Sequence, residues 1–132
     1  MTVRIIDKPQ VAFEPAVRTR PQARPAELGA SHSFAFWSGA SGQRYVHTVY
    51  SLIECPELPR ANYVLVHRDA AGVRHILRIG RLTQKAESLN LAHLRHTGAK
   101  LGANEVHVHL LGRSGQQRLQ IELDLSAAQG NE

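Results

Sequence analysis

Two histidines stand one residue apart in "NEVHVHLLG", residues 104–112, and Glu105 lies two positions before the first of them. Alternate residues of a strand point to the same side, so Glu105, His107 and His109 would share one face. Two imidazoles and a carboxylate can hold a divalent metal if a second shell fixes them. A second pair, His93 and His96 in "HLRH", falls three apart on an expected helix, and His47 and Glu122 are further candidate ligands. One expectation is therefore a metal-dependent hydrolase or nuclease that uses His107 and His109, with Glu105 or the His93/His96 pair completing the site. The favoured expectation is plainer: no cofactor, and neutral histidines making surface or cross-strand hydrogen bonds. Cys55 precedes a proline and has no histidine at a telling distance, so it is not read as a nucleophile. "SGASGQ" leads into a strand, not a helix, and is a turn rather than a phosphate loop.

The formal charge of the 132 residues is +5, and it is unevenly placed. Residues 60–100 hold eight cations against Asp69 and Glu87, whereas residues 101–132 carry more acids than bases. A basic block of this kind suits a polyanion, most often nucleic acid. Arg74, Arg78, Arg81, Lys85, Arg95 and Lys100 are the expected contacts, with Arg74 and Arg78 on one strand face and the set lining a groove between strand end and helix. Guanidinium groups grip phosphate oxygens in pairs, so binding should be dominated by the backbone and low in sequence specificity.

The elements that would position these residues are short. "SFAFW" and "RYVHTVYSLI" read as a hairpin, as do "NYVLVHRD" and "VRHILRIGRL" around Asp69 and Gly72. "AESLNLAHLRHTG" reads as the principal helix, with Ser88 as N-cap and Gly98 at its end. "EVHVHLL" and "QRLQIELDL" read as a third hairpin. In its second strand Leu119, Ile121, Leu123 and Leu125 alternate with Arg118, Gln120, Glu122 and Asp124, which sets His107 and His109 among polar side chains. The expected fold is a small α+β domain, residues 31–126, with a mainly antiparallel sheet. A disordered Pro/Arg-containing arm, residues 1–30, precedes it, and a frayed tail, residues 127–132, follows. No apolar run approaches membrane-span length. The single cysteine suits a reducing compartment, so the chain is expected in the cytoplasm.

"NYVLVHRDAAGVRHILRIGRL" resembles the opening hairpin of the GIY-YIG nuclease superfamily, and the resemblance covers about residues 61–111. Tyr63 stands where the first motif has its tyrosine. Ile79 and Gly80 match the end of the second motif, and Arg95 falls near the family's helical arginine. "ANY" replaces Gly-Ile-Tyr, Arg78 replaces the second tyrosine, and no later helix is expected to carry the family's metal-binding glutamate. The resemblance thus implies a non-catalytic relative that still holds DNA or RNA, with Tyr63, Gly80 and Arg95 as remnants. A third possibility is a protein-interaction domain, since "SFAFW" is apolar at both parities and would pair with a second copy as an edge strand.

Overall fold

The computed structural model describes residues 33–130. The expected arm, residues 1–30, lies outside the described residues. Five strands and two helices follow in the order β1 (Ser33–Ser38), β2 (Arg44–Ser51), β3 (Ala61–Arg68), β4 (Arg74–Leu82), α1 (Glu87–Leu101), β5 (Glu105–His109) and α2 (Gly115–Gly130). The strands form one sheet in the order β1-β2-β5-β3-β4. Every neighbouring pair is antiparallel. The fold is α+β, as the alternation of hairpins and a helix implies.

The β3–β4 hairpin forms where Asp69 was expected to start a turn. Its carboxylate accepts from the amides of Ala71 and Val73, and Gly72 takes φ 85°. The first six residues of β3 are all buried, because β3 lies between β5 and β4 and is covered on both faces. On one face Tyr63, Leu65, Val106 and Val108 pack with Leu94 of α1 and with Cys55 and Leu58 of the β2–β3 connection. On the other, Ile121 and Leu125 of α2 pack against Tyr45, with Trp37 and Ile79 alongside.

Helix α1 starts at Glu87 and continues through Gly98 to Leu101. Gly98 was expected to end it but is buried within it, where a Cβ would meet Leu52. The terminator is Gly102, whose φ of 86° closes the helix while its amide and that of Ala103 bond back to Ala99 and Gly98.

The larger correction is α2. Residues 117–125, expected as a strand, are helical, and the helix runs on through residues expected to fray. A helix that follows the later strand is therefore present. Residues 115–130 contain one β-branched side chain, Ile121, among good helix formers such as Gln, Leu, Glu and Ala. Ser114 caps the start by accepting from the amide of Gln117, whose own side chain accepts from the Arg113 amide at 2.6 Å. Helical spacing buries Ile121 and Leu125 and leaves Leu123 exposed.

Candidate functional site

Helix α2 covers a sheet face that is polar in its middle. His47, His107 and His109 are 0%, 0% and 5% exposed, and Asn62 is 1% exposed. Facing β3 and β5 across their registers, Asn62 opposes His109 and Val64 opposes His107. The expectation that His107 and His109 lie on a wet face is overturned by α2, which closes over that side of the sheet. As expected, they stand opposite in parity to Val106 and Val108.

Their partners assign each ring its tautomer. Trp37 reaches across β2 and donates its indole N–H to His107 Nδ1 at 2.9 Å, so the His107 hydrogen is on Nε2. That N–H donates to Glu105 Oε1 at 2.9 Å. Arg74 Nε donates to the same oxygen at 2.9 Å, and Arg68 lies 3.8 Å from Oε2. Burial alone would push the Glu105 carboxyl up. The hydrogen bond from His107 and the charge of Arg74 outweigh it and hold the group at about 2. Burial pushes His107 the other way, downward. Both nitrogens of His107 and the inner oxygen of Glu105 are therefore engaged within the protein. His109 donates from Nδ1 to the Val46 carbonyl at 2.7 Å, and His47 donates from Nδ1 to the Tyr45 carbonyl at 2.9 Å. Among the described residues no group of three or more His, Cys, Asp or Glu side chains is placed to hold a metal ion.

The six expected phosphate contacts do not share one surface. A β-bulge between Leu65 and Val66 of β3 shifts the β4 register, so Leu65 opposes Arg78 while Val66 opposes Ile76. The shift puts Arg74 on the α2 side and Arg78 on the α1 side, against the expectation that they share a face. Arg74 is held by Glu105, and Arg81 by Glu122 at 2.5 Å. Arg95 donates to the carbonyls of Ile53 and Cys55. Lys85 and Lys100 are exposed, Lys85 between β4 and α1 and Lys100 in the last turn of α1.

Of the three residues expected as remnants from the GIY-YIG resemblance, Tyr63 and Gly80 meet, while Arg95 bonds elsewhere. Tyr63 pairs with Gly80 across the hairpin, and a Cβ on Gly80 would lie 2.6 Å from the Tyr63 hydroxyl and 2.8 Å from its Cζ. The hydroxyl meets His93 Nε2 at 3.2 Å. Burial raises the pKa of this phenol. Gly80→Ala is expected to destabilise the domain by about 1–3 kcal/mol, since a buried ring must move to admit one methyl. Urea unfolding of the variant beside the wild type measures this.

Two clefts lie at the end of β4. One, of about 200 Å3, is lined by Arg60, Arg81, Leu82, Thr83, Gly115 and Arg118. The other, of about 480 Å3, shares Arg81, Leu82 and Thr83 and extends along α1 past Gln84 and Asn90 to His93. Three guanidinium groups thus border the N-terminus of α2, where unpaired backbone N–H groups and the helix dipole favour negative charge. Arg60 was counted in the basic block but not chosen, and Arg118 was assigned to a strand. The signal for the second was the Ser114-x-x-Gln117 capping pattern.

No family model, no curated protein and no solved structure matches this chain. Among the described residues no helix is long and apolar enough to cross a membrane.

Proposed function

We propose that the domain binds the phosphate backbone of nucleic acid, without hydrolysing it, through the clefts bordered by Arg60, Arg81 and Arg118. The observation that carries this reading is their convergence on the α2 N-terminus from three elements: the β2–β3 connection, β4 and α2 itself. Arg60 and Arg118 have no acidic partner among the described residues; they donate to the carbonyls of Thr83 and Gly112. Each guanidinium retains donors for phosphate. Lys85 is exposed in the loop between β4 and α1. No base-reading arrangement accompanies the arginines, so contacts to phosphate dominate and sequence specificity is low.

The GIY-YIG resemblance bears on the reading in the same direction. A hairpin, a helix, a strand beside the hairpin's first strand and a further helix occur in that order. The further helix carries Glu122, but Arg81 holds it, and Arg95 is held by carbonyls. With Arg95 turned to carbonyls and Glu122 paired with Arg81, neither is free for hydrolysis, which favours a non-catalytic relative. Cytoplasmic nucleic acid is the natural partner, and the free, buried Cys55, whose thiol burial pushes up to about 11, suits a reducing compartment. Fluorescence anisotropy with a labelled oligonucleotide tests the reading: binding at low salt that weakens at moderate salt is expected, and no binding at low salt removes it.

A second reading has its own observation. β1 is an edge strand whose Phe34 and Phe36 are 62% and 54% exposed on one face, with Arg44 stacked 4.5 Å over the Phe36 ring. Such an edge suits pairing with a second copy. Sedimentation at several concentrations separates a monomer from a dimer, and Phe36→Lys should abolish any dimer seen.

A further inference from the structure

We infer that His47 and His109, with the side-chain oxygen of Asn62, form a binding site for one divalent first-row transition metal ion of the zinc class. The three residues stand in one row across neighbouring strands β2, β5 and β3. Asn62 directly opposes His109. His47 and His109 lie one step beyond the Thr48–Val108 pair in the same register, with ring centroids 5.4 Å apart.

The hydrogen bonds leave these groups in the form a metal requires. Each imidazole donates its Nδ1 hydrogen to a backbone carbonyl, Tyr45 for His47 and Val46 for His109. In the neutral ring this turns Nε2 into a lone pair, and a carbonyl holding the other ring nitrogen is the usual outer support of a metal-binding histidine. Asn62 is oriented as firmly, since its amide nitrogen donates to the Arg118 carbonyl at 2.8 Å and turns its oxygen inward.

Two of these lone pairs, His47 Nε2 and Asn62 Oδ1, are fully buried and have no hydrogen-bond partner. Burying an acceptor in that state costs about 1–3 kcal/mol each, so a fold keeps such a pair at a cost unless something serves it. A single water has two hydrogens for three lone pairs, whereas one cation serves all three. Two imidazoles and an amide oxygen make a neutral donor set suited to zinc, copper, nickel or cobalt rather than to calcium or magnesium. His109 also lines a cleft of about 740 Å3 beside Tyr45, Gln120 and Asp124, through which a fourth ligand reaches the ion from solvent. His107, by contrast, has both ring nitrogens occupied and is not a ligand. The site is thus separate from the arginine clefts and stands whether or not these bind nucleic acid.

The test uses the full chain without a histidine tag, freed of metal by chelation. Cobalt(II) titration should give one equivalent with visible ligand-field bands, and zinc should displace it. His47→Ala and His109→Ala should each weaken binding at least a hundredfold, and His93→Ala should leave it unchanged. If the alanine variants fail to fold, long-range imidazole 1H–15N spectra of the wild type decide. Zinc should then shift Nε2 of His47 and His109 and leave the His107 nitrogens in place. Absence of stoichiometric cobalt or zinc binding overturns the inference, as does binding that perturbs other histidines while both of these rings stay unchanged.

Discussion

Glu105→Ala is expected to destabilise the domain by about 3 kcal/mol, among the largest losses available from one side chain. Glu105 is the hub of the buried polar network under α2: it accepts from His107 Nε2 and from Arg74, with Arg68 near its second oxygen. Truncation leaves the His107 N–H, on a fully buried ring, with no acceptor, and leaves Arg74 half-buried without its counter-charge. The cost is that of orphaning both groups, not the net value of the ion pair. It also loosens the anchor that Trp37 finds on His107. Urea unfolding should show a lowered midpoint with little change in slope.

The same carboxylate sets a pH dependence whose sign follows from its shift. Its folded pKa of about 2 lies below the ordinary value of 4.5, so the folded state binds its proton less readily than the unfolded state. The stabilisation is complete above about pH 4.5 and disappears as pH falls toward 2. Glu105→Gln keeps the shape and removes the titration. Its stability, below the wild type's at neutral pH, should therefore fall less steeply across this window. Equal slopes for the two proteins would refute the assignment of Glu105 as the titrating group.

Neutralising the arginine clefts should have the largest effect on binding. Arg60→Gln, Arg81→Gln and Arg118→Gln together remove three positive charges from the α2 N-terminus. If each contacts one phosphate, the slope of log affinity against log salt should shrink by roughly 2.7, at about 0.9 per contact on duplex DNA. Affinity near 50 mM salt should fall on the order of a hundredfold or more, since charged hydrogen bonds contribute about 1.5–3 kcal/mol each. Arg78→Gln on the opposite face should weaken binding less. The triple variant must be checked for folding by circular dichroism, because Arg81 also holds Glu122 and Arg118 also holds the Gly112 carbonyl.

Local chemistry made part of this molecule readable in advance. Asp69 and Gly72 announced the β3–β4 hairpin, whereas the burial of its first strand on both faces follows from its place between β5 and β4. Helix α1 was legible as an element, but not its termini: Ala86, not Ser88, is the N-cap and makes no side-chain cap bond, and Gly98 serves close packing while Gly102 supplies the left-handed turn. Residues 117–125 were misread because leucine and isoleucine at every second position imitate a strand. Composition and the Ser114–Gln117 cap decide for helix.

That single error carried into the site. A second strand leaves His107 and His109 wet, whereas a helix buries them. The bulge opposite Leu65 and Val66 likewise inverted the relation of Arg74 to Arg78, since one inserted residue reverses parity. The partners that hold Arg74, Arg81 and Arg95 are 31, 41 and about 40 residues away in sequence, beyond the reach of local patterns. Trp37 and His107, 70 residues apart, are a pairing only the folded sheet reveals.

The most direct test of the proposed binding surface is an amide chemical-shift titration of the 15N-labelled domain with a short oligonucleotide at low salt. The account predicts that the perturbed amides cluster at Arg60, Arg81, Thr83, Gly115 and Arg118 and recover as salt is raised. Perturbations confined to β1 around Phe34 and Phe36, or a spectrum unchanged by excess oligonucleotide, would contradict it.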